Sequence, residues 1–195
     1  MLFSIFCILA FQLDPTAKDA VLEAFSKLNK FEVRFEQEIY SDFFDDSLVE
    51  GYLLVERPGR MRMEYQKGDK KTFIWDGTTC YEKDMLADTE TRTPQKDLMN
   101  EPLVQLLLYG SDVNKLFLID RHKDELGEVY RFQPRGDDPY QIEVVFDKEW
   151  LPKTLEIVGE DGEGSRIRFK GFNLSPTFSP TAFTVPPAPE VKPDR

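Results

Sequence analysis

Reactive side chains are scarce in this sequence. It holds one histidine, His122, and two cysteines, Cys7 and Cys80, among 195 residues. His122 falls in the charged run from Asp120 to Glu125, which reads as a turn, and no Gly-x-Ser-x-Gly elbow is present to partner it. Cys80 stands in a strand-like stretch beside Tyr81, where a free cysteine packs as a small hydrophobe. The acidic pairs Asp45-Asp46 and Asp137-Asp138, and the run Glu160-Asp161-Gly162-Glu163, lack the alternating spacing of a calcium loop. No glycine-rich phosphate cradle precedes a helix. The reading is therefore of a protein that is not an enzyme, with no catalytic residues, no metal and no cofactor.

Positive charge is also in deficit. Thirty-six acidic residues against 25 basic ones give a net charge of -11, which repels nucleic acid and anionic bilayers and excludes a basic adsorbing face. Long hydrophobic runs are missing too. Residues 2–11 are uncharged and almost wholly apolar, but ten residues are too few to span a bilayer and suit the core of an export signal. Residues 1–12 are read as a removable signal peptide, although no Lys or Arg precedes the run and no Ala-x-Ala follows it. Its removal would leave Cys80 without an intramolecular disulfide partner. A mean hydropathy of -0.45 fits a soluble chain.

Aromatic residues, by contrast, are abundant at 13%, with 16 phenylalanines. Asp14-Pro15 reads as a helix start, and Val21, Leu22, Phe25 and Leu28 then share one stripe of an amphipathic helix ending near Asn29. The period next becomes two. Phe31, Val33, Phe35 and Ile39 alternate with Glu32, Arg34, Glu36 and Glu38, and the pattern returns around Met61-Met63-Tyr65, Tyr140–Phe146 and Ile167-Phe169. Shorter runs at 48–57, 71–76, 78–84, 128–133 and 152–158 read as strands, with turns at Pro58-Gly59, Asp76-Gly77 and Asp161-Gly162. A second helix over 101–109, capped by Asn100 with Pro102 in its first turn, is apolar nearly all round. Six prolines after Ser175 exclude regular structure there, though Phe178, Phe183 and Val185 could anchor an edge strand.

About nine one-sided strands with two or three helices leave too much apolar sheet for the helices to cover. The sheet must curl on itself or split into a sandwich. The fold expected is mainly β with few helices: an unclosed antiparallel barrel with a helical lid over an apolar cavity. One domain over 13–188 and a flexible proline-rich tail over 189–195 complete the organisation.

Residues 51–65, Gly-Tyr-Leu-Leu-Val-Glu-Arg-Pro-Gly-Arg-Met-Arg-Met-Glu-Tyr, resemble the most recognisable stretch of the LolA family of outer-membrane lipoprotein carriers. The spacing to Asp76-Gly77, the leucine-rich helix after Pro102, Phe132-Gln133-Pro134, and the hairpin from Ile142 to Asp161 are similar as well. The resemblance spans roughly residues 14–188. Met61 and Met63 depart from the family's aromatic and tryptophan, and Tyr81 stands where a tryptophan is common.

The resemblance implies a monomeric periplasmic chaperone. Its partners would be acylated lipoproteins, an inner-membrane ABC transporter of the lipoprotein-sorting type, and an outer-membrane receptor. Acyl chains would lie against Phe35, Leu53, Val55, Met61, Met63, Tyr65, Trp75, Leu103, Leu106 and Leu107. Arg57 would be the arginine that latches barrel to lid. On its residues alone, Arg57 either reaches solvent before Pro58 or, sharing a face with Leu53 and Val55, finds carbonyls at a helix end; the resemblance selects the second. The competing readings are a periplasmic lipid-sensing regulator, a carrier of another lipid, and a hydrolase on a β scaffold.

Overall fold

The alternation of Phe31, Val33 and Phe35 with charged residues opens the longest strand of a single sheet, Lys30–Tyr40. The computed structural model describes residues 15–40, 47–110, 112–125, 127–136, 138–159 and 163–188. Helix α1 (Pro15–Ser26) leads into β1 (Lys30–Tyr40), β2 (Ser47–Glu56), β3 (Arg60–Lys67), β4 (Lys71–Asp76), β5 (Thr79–Asp84) and β6 (Thr89–Pro94). A 3-10 turn (Gln95–Leu98), α2 (Pro102–Tyr109) and α3 (Val113–Leu116) connect these to β7 (Phe117–Asp124), β8 (Gly127–Pro134), β9 (Tyr140–Phe146), β10 (Pro152–Gly159) and β11 (Gly164–Asn173).

The strand order is β6-β5-β4-β3-β2-β1-β11-β10-β9-β8-β7, and the pairings are antiparallel. Only the β1–β11 pairing joins strands distant in sequence, and it welds the two meanders into one sheet. Strands β6 and β7 are its two edges, so the sheet is unclosed. Six strand spacings separate β7 from β2, roughly 30 Å in a flat sheet. Yet Phe117 of β7 and Val55 of β2 belong to one buried cluster with Phe25 of α1 and Leu106 of α2. The sheet therefore curls around its helices. The expected mainly β fold, an unclosed antiparallel sheet with few helices, is the one observed, and the sandwich is excluded.

Several local expectations are corrected. Helix α1 ends at Ser26, short of Asn29, whose side chain instead donates to the Ser26 carbonyl at 2.8 Å. Asn100 does not cap α2. Glu101 holds the N-cap position without a side-chain hydrogen bond, and Pro102 follows as the first helical residue. Asp120–Asp124 is the end of an edge strand rather than a turn, and His122 sits within it. Strand β6, Thr-Glu-Thr-Arg-Thr-Pro, is not among the expected strands because it has no apolar face to read. The signal segment 1–12, the Asp14 cap, the Asp161-Gly162 turn and the tail 189–195 lie outside the described residues. Among the described residues, no helix is long and apolar enough to cross a membrane, which says nothing of crossing by strands.

Residues 176–188 form no edge strand and lie on the outer face of the sheet. Arg62 donates to the Ala182 carbonyl at 3.2 Å, and Arg92 to the Pro186 and Pro187 carbonyls at 2.8 and 3.2 Å. Register places Ile74 and Tyr81 between those two arginines, so the tail crosses the apolar part of that row. Phe183 is correspondingly buried and packs edge-on to Phe178. Elsewhere the outer face carries cross-strand ion pairs such as Arg166–Glu156 and Arg131–Glu143, the wet side that one-sided strands require.

Candidate functional site

The inner face is built row by row from the register. One row runs Val33, Leu53, Met63, Phe73, Glu82 and Thr91 across β1 to β6, and the next runs Phe31, Val55, Met61, Trp75, Cys80 and Thr93. A third brings Phe169, Phe35, Gly51 and Tyr65 into line. Gly51 is required there. A β-carbon at position 51 would lie 2.1 Å from the Glu64 carbonyl oxygen and 2.7 Å from the Phe35 ring. Its absence lets Phe35 and Tyr65 meet edge-on at 5.7 Å, and Tyr65 continues to Phe73 at 5.9 Å.

The helices cover this face unevenly. Under α1 and α2 the interior is solid, with Phe117, Phe132, Ile119 and Ile142 no more than 1% exposed. Towards β3 and β4 the apolar wall is only partly buried, at Met61, Met63, Tyr65, Phe73 and Trp75. Of the residues singled out from sequence, Leu53, Met61, Trp75, Leu103 and Leu107 pack partly buried against the main cluster. Val55 and Leu106 lie inside it. Phe35 is buried in the aromatic row, while Met63 and Tyr65 form the less covered end. Sequence reasoning misses Phe73, Phe169 and Gln37, although Phe73 precedes Trp75 by two in the same strand. The Tyr65 hydroxyl donates to Gln37 Oε1 at 2.9 Å. Burial pushes the Tyr65 phenol up to about 12, with the charges of Asp69 and Glu82 adding to the effect, so it is a neutral hydrogen-bond donor on this wall.

Arg57 follows β2 at the opposite end of the wall, and its peptide bond to Pro58 is cis. Its Nε donates to the Leu107 carbonyl, Nη2 to the Leu106 carbonyl and Nη1 to the Phe25 carbonyl, each at 2.9 Å. These acceptors stand in the last turns of α2 and α1, where helix carbonyls lack intrahelical partners and carry partial negative charge. One guanidinium thus ties the sheet to both helices. Burial lowers its pKa to about 10, which keeps it charged at neutral pH. Two glycines make the approach possible. Gly110 ends α2 in the left-handed region at φ 59°, and the Gly59 amide donates to the Leu108 carbonyl at 2.8 Å. A cleft of about 480 Å³ opens beside Arg57, lined by Leu22, Phe25, Asn29, Tyr109, Gly110 and Val113.

Polar chemistry on this face is sparse. Cys80 faces inward opposite Trp75, and burial, then the Asp76 charge, pushes its thiol up to about 12. Buried and held as the thiol, it packs as a small hydrophobe. Among the described residues no three His, Cys, Asp or Glu side chains gather as metal ligands.

Comparison with known proteins gives this arrangement its place. The family model described as outer membrane lipoprotein carrier protein LolA matches residues 26–186. The chain belongs to the LolA family. An outer-membrane lipoprotein carrier protein of Aeromonas salmonicida (strain A449) is 23% identical over 186 residues, covering 92% of this chain and 89% of that one. A LolA superfamily protein from Nitrosomonas europaea shares the fold at a TM-score of 0.55 with 9% identity, covering 86% of this chain and 97% of its own. An uncharacterized conserved protein from Thermus thermophilus does so at 0.54 with 10% identity, over 88% of this chain and 94% of its own. The unclosed sheet is thus the LolA fold, kept where few residues are identical.

Proposed function

We propose that this LolA-family chain is a periplasmic carrier that holds lipoprotein acyl chains against its inner wall and passes them towards the outer membrane. The partly uncovered apolar wall beside a leucine-rich helix, at Met61, Met63, Tyr65, Phe73 and Trp75, is the observation that carries this reading. A partly uncovered apolar surface of that kind, backed by a charged outer face, suits a ligand that must be kept from water. The Aeromonas relative's name, a lipoprotein carrier, points the same way.

Burying an acyl methylene is worth about 0.8 kcal/mol, so a chain of roughly 15 represents on the order of 12 kcal/mol. Such cargo does not leave into water. It moves only by contact between donor, carrier and acceptor, here an inner-membrane ABC transporter and an outer-membrane receptor. The carrier needs no catalytic group, only a wall that is covered when empty and accessible when loaded. Helix α2 is the cover, and Arg57 is the latch that holds it to the sheet and to α1. Val55 and Leu106, buried in the closed arrangement, join the acyl-binding wall when α2 moves.

A reconstituted transfer assay tests this. Arg57→Leu removes three helix-end hydrogen bonds to a charged donor, each worth roughly 1.5–3 kcal/mol. The expected result is a carrier that still takes up lipoprotein but hands it on at least tenfold more slowly, because re-closure no longer helps expel the cargo. Transfer at the wild-type rate would remove the latch, and failure of the wild-type protein to take up acylated cargo would remove the carrier.

A further inference from the structure

Gln95 is the one buried polar side chain among the described residues, 1% exposed in a core that is otherwise apolar. A primary amide placed there without partners would be destabilising by several kcal/mol. Its bonds explain its presence. Nε2 donates to the Gly59 carbonyl at 2.7 Å and to the Tyr109 hydroxyl at 2.7 Å, which uses both amide hydrogens. Oε1 accepts from the Gly77 amide at 3.1 Å. Rotating the amide by 180° would set oxygen against the Gly59 carbonyl and nitrogen against the Gly77 amide, so the network fixes its orientation.

The three partners belong to three separate segments: the β2–β3 turn beside Arg57, the β4–β5 turn, and the C-terminal end of α2. Gln95 itself begins the 3-10 turn that leads into α2, and its backbone amide donates to the Thr78 carbonyl at 2.8 Å. One side chain therefore joins the start of the covering segment to its end, and both to the turn that presents Arg57. The site leaves no slack. A β-carbon on Gly59 would stand 2.9 Å from both Gln95 Nε2 and the Tyr109 hydroxyl.

We infer that Gln95 is a positioning residue, the pin on which the segment 96–110 moves, while Arg57 is the catch that joins that segment to α1. This rests on the reading of α2 as a cover that opens. With its two ends held together at Gly59, the segment swings as a unit and returns to the same place, instead of unravelling from one end.

Amide hydrogen exchange on the full-length protein tests the pin without any cargo, so its failure is separable from failure of the carrier reading. Tyr109→Phe deletes the hydroxyl and leaves Gln95 in place, and Gln95→Leu removes the whole network at similar volume. Both variants should exchange α2 amides at least fivefold faster than wild type, with β9 and β10 amides unchanged. The double variant should be no faster than Gln95→Leu alone, because both changes remove one shared bond. If Gln95→Leu does not fold, Tyr109→Phe alone decides. Acceleration of α2 below fivefold, equal acceleration in β9 and β10, or additive effects in the double variant would each overturn the inference.

Discussion

Gly110 and Arg57 are fitted to one another: a β-carbon at position 110 would lie 2.9 Å from Arg57 Nη1. The helix that supplies two of the guanidinium's acceptors ends in a residue whose lack of a side chain lets the guanidinium reach them.

Substitution separates this packing role from backbone preference. Gly110→Ala places a β-carbon at φ 59°, where left-handed backbone costs about 1–2 kcal/mol, and also displaces Arg57. Gly171 has φ 70° and nothing within 4 Å of a β-carbon, so Gly171→Ala incurs backbone strain alone. Both variants should lose stability in chemical denaturation. Only Gly110→Ala should speed amide exchange at the C-terminal ends of α1 and α2, as Arg57→Leu should by removing the same hydrogen bonds. Equal exchange in the two variants would contradict the fit.

Gly51 carries the aromatic row. Gly51→Val must move the Glu64 backbone or the Phe35 ring, overpacking that should lower unfolding stability by about 3 kcal/mol. The edge-on contacts of Tyr65 with Phe35 and Phe73 would be lost with it. Near-ultraviolet circular dichroism should report reduced aromatic order even where the variant remains folded. An unchanged spectrum and midpoint would show that the row tolerates a side chain there.

The β4–β5 turn supplies a pH signature. Burial of the Asp76 carboxyl acts to raise its pKa, but donation from the Thr78 hydroxyl and from the Thr79 and Thr78 amides outweighs it and holds the group below the usual aspartate range. A carboxylate with a lowered folded pKa stabilises fully above its unfolded pKa and loses that contribution as pH falls through the folded value. The stability gap between wild type and Asp76→Asn should therefore be constant from pH 7 to 5 and close below about pH 4. Solvent screening keeps it under about 1 kcal/mol. A gap that widened on acidification would reverse the assignment.

Much of the fold is legible in the sequence where one face of a strand is dry. Phe31, Val33 and Phe35 announce β1, and Ile142 and Val144 announce β9, because burial on one side imposes period two. Edge strands escape that rule. Strand β6 has Thr91 and Thr93 facing inward, and β7 loses its apolar alternation after Ile119, so a strand end with Asp120 to Asp124 looks like a turn. The proline-rich tail is similarly opaque, since Phe183 is buried where Arg62 and Arg92 hold the tail by its carbonyls, contacts that spacing does not foretell.

The site divides the same way. Arg57 could be singled out because a cation on a dry face must find acceptors, and because its neighbours resemble a family motif. Gln95 could not. Its partners sit at positions 59, 77 and 109, and nothing local distinguishes it from a surface glutamine. Gly110 looks like an ordinary helix stop, and only the approach of Arg57 shows its second role.

The central claim is that acyl chains lie on the inner wall at its β3–β4 end. A synthetic N-acyl peptide carrying a photoreactive diazirine in its acyl chain, irradiated with the full-length protein and mapped by peptide mass spectrometry, tests this most directly. The account predicts crosslinks concentrated at Met61, Met63, Tyr65, Phe73 and Trp75, abolished by excess unlabelled acyl peptide. Crosslinks confined to the outer face, or no more of them than with an unacylated peptide bearing the same group, would contradict it.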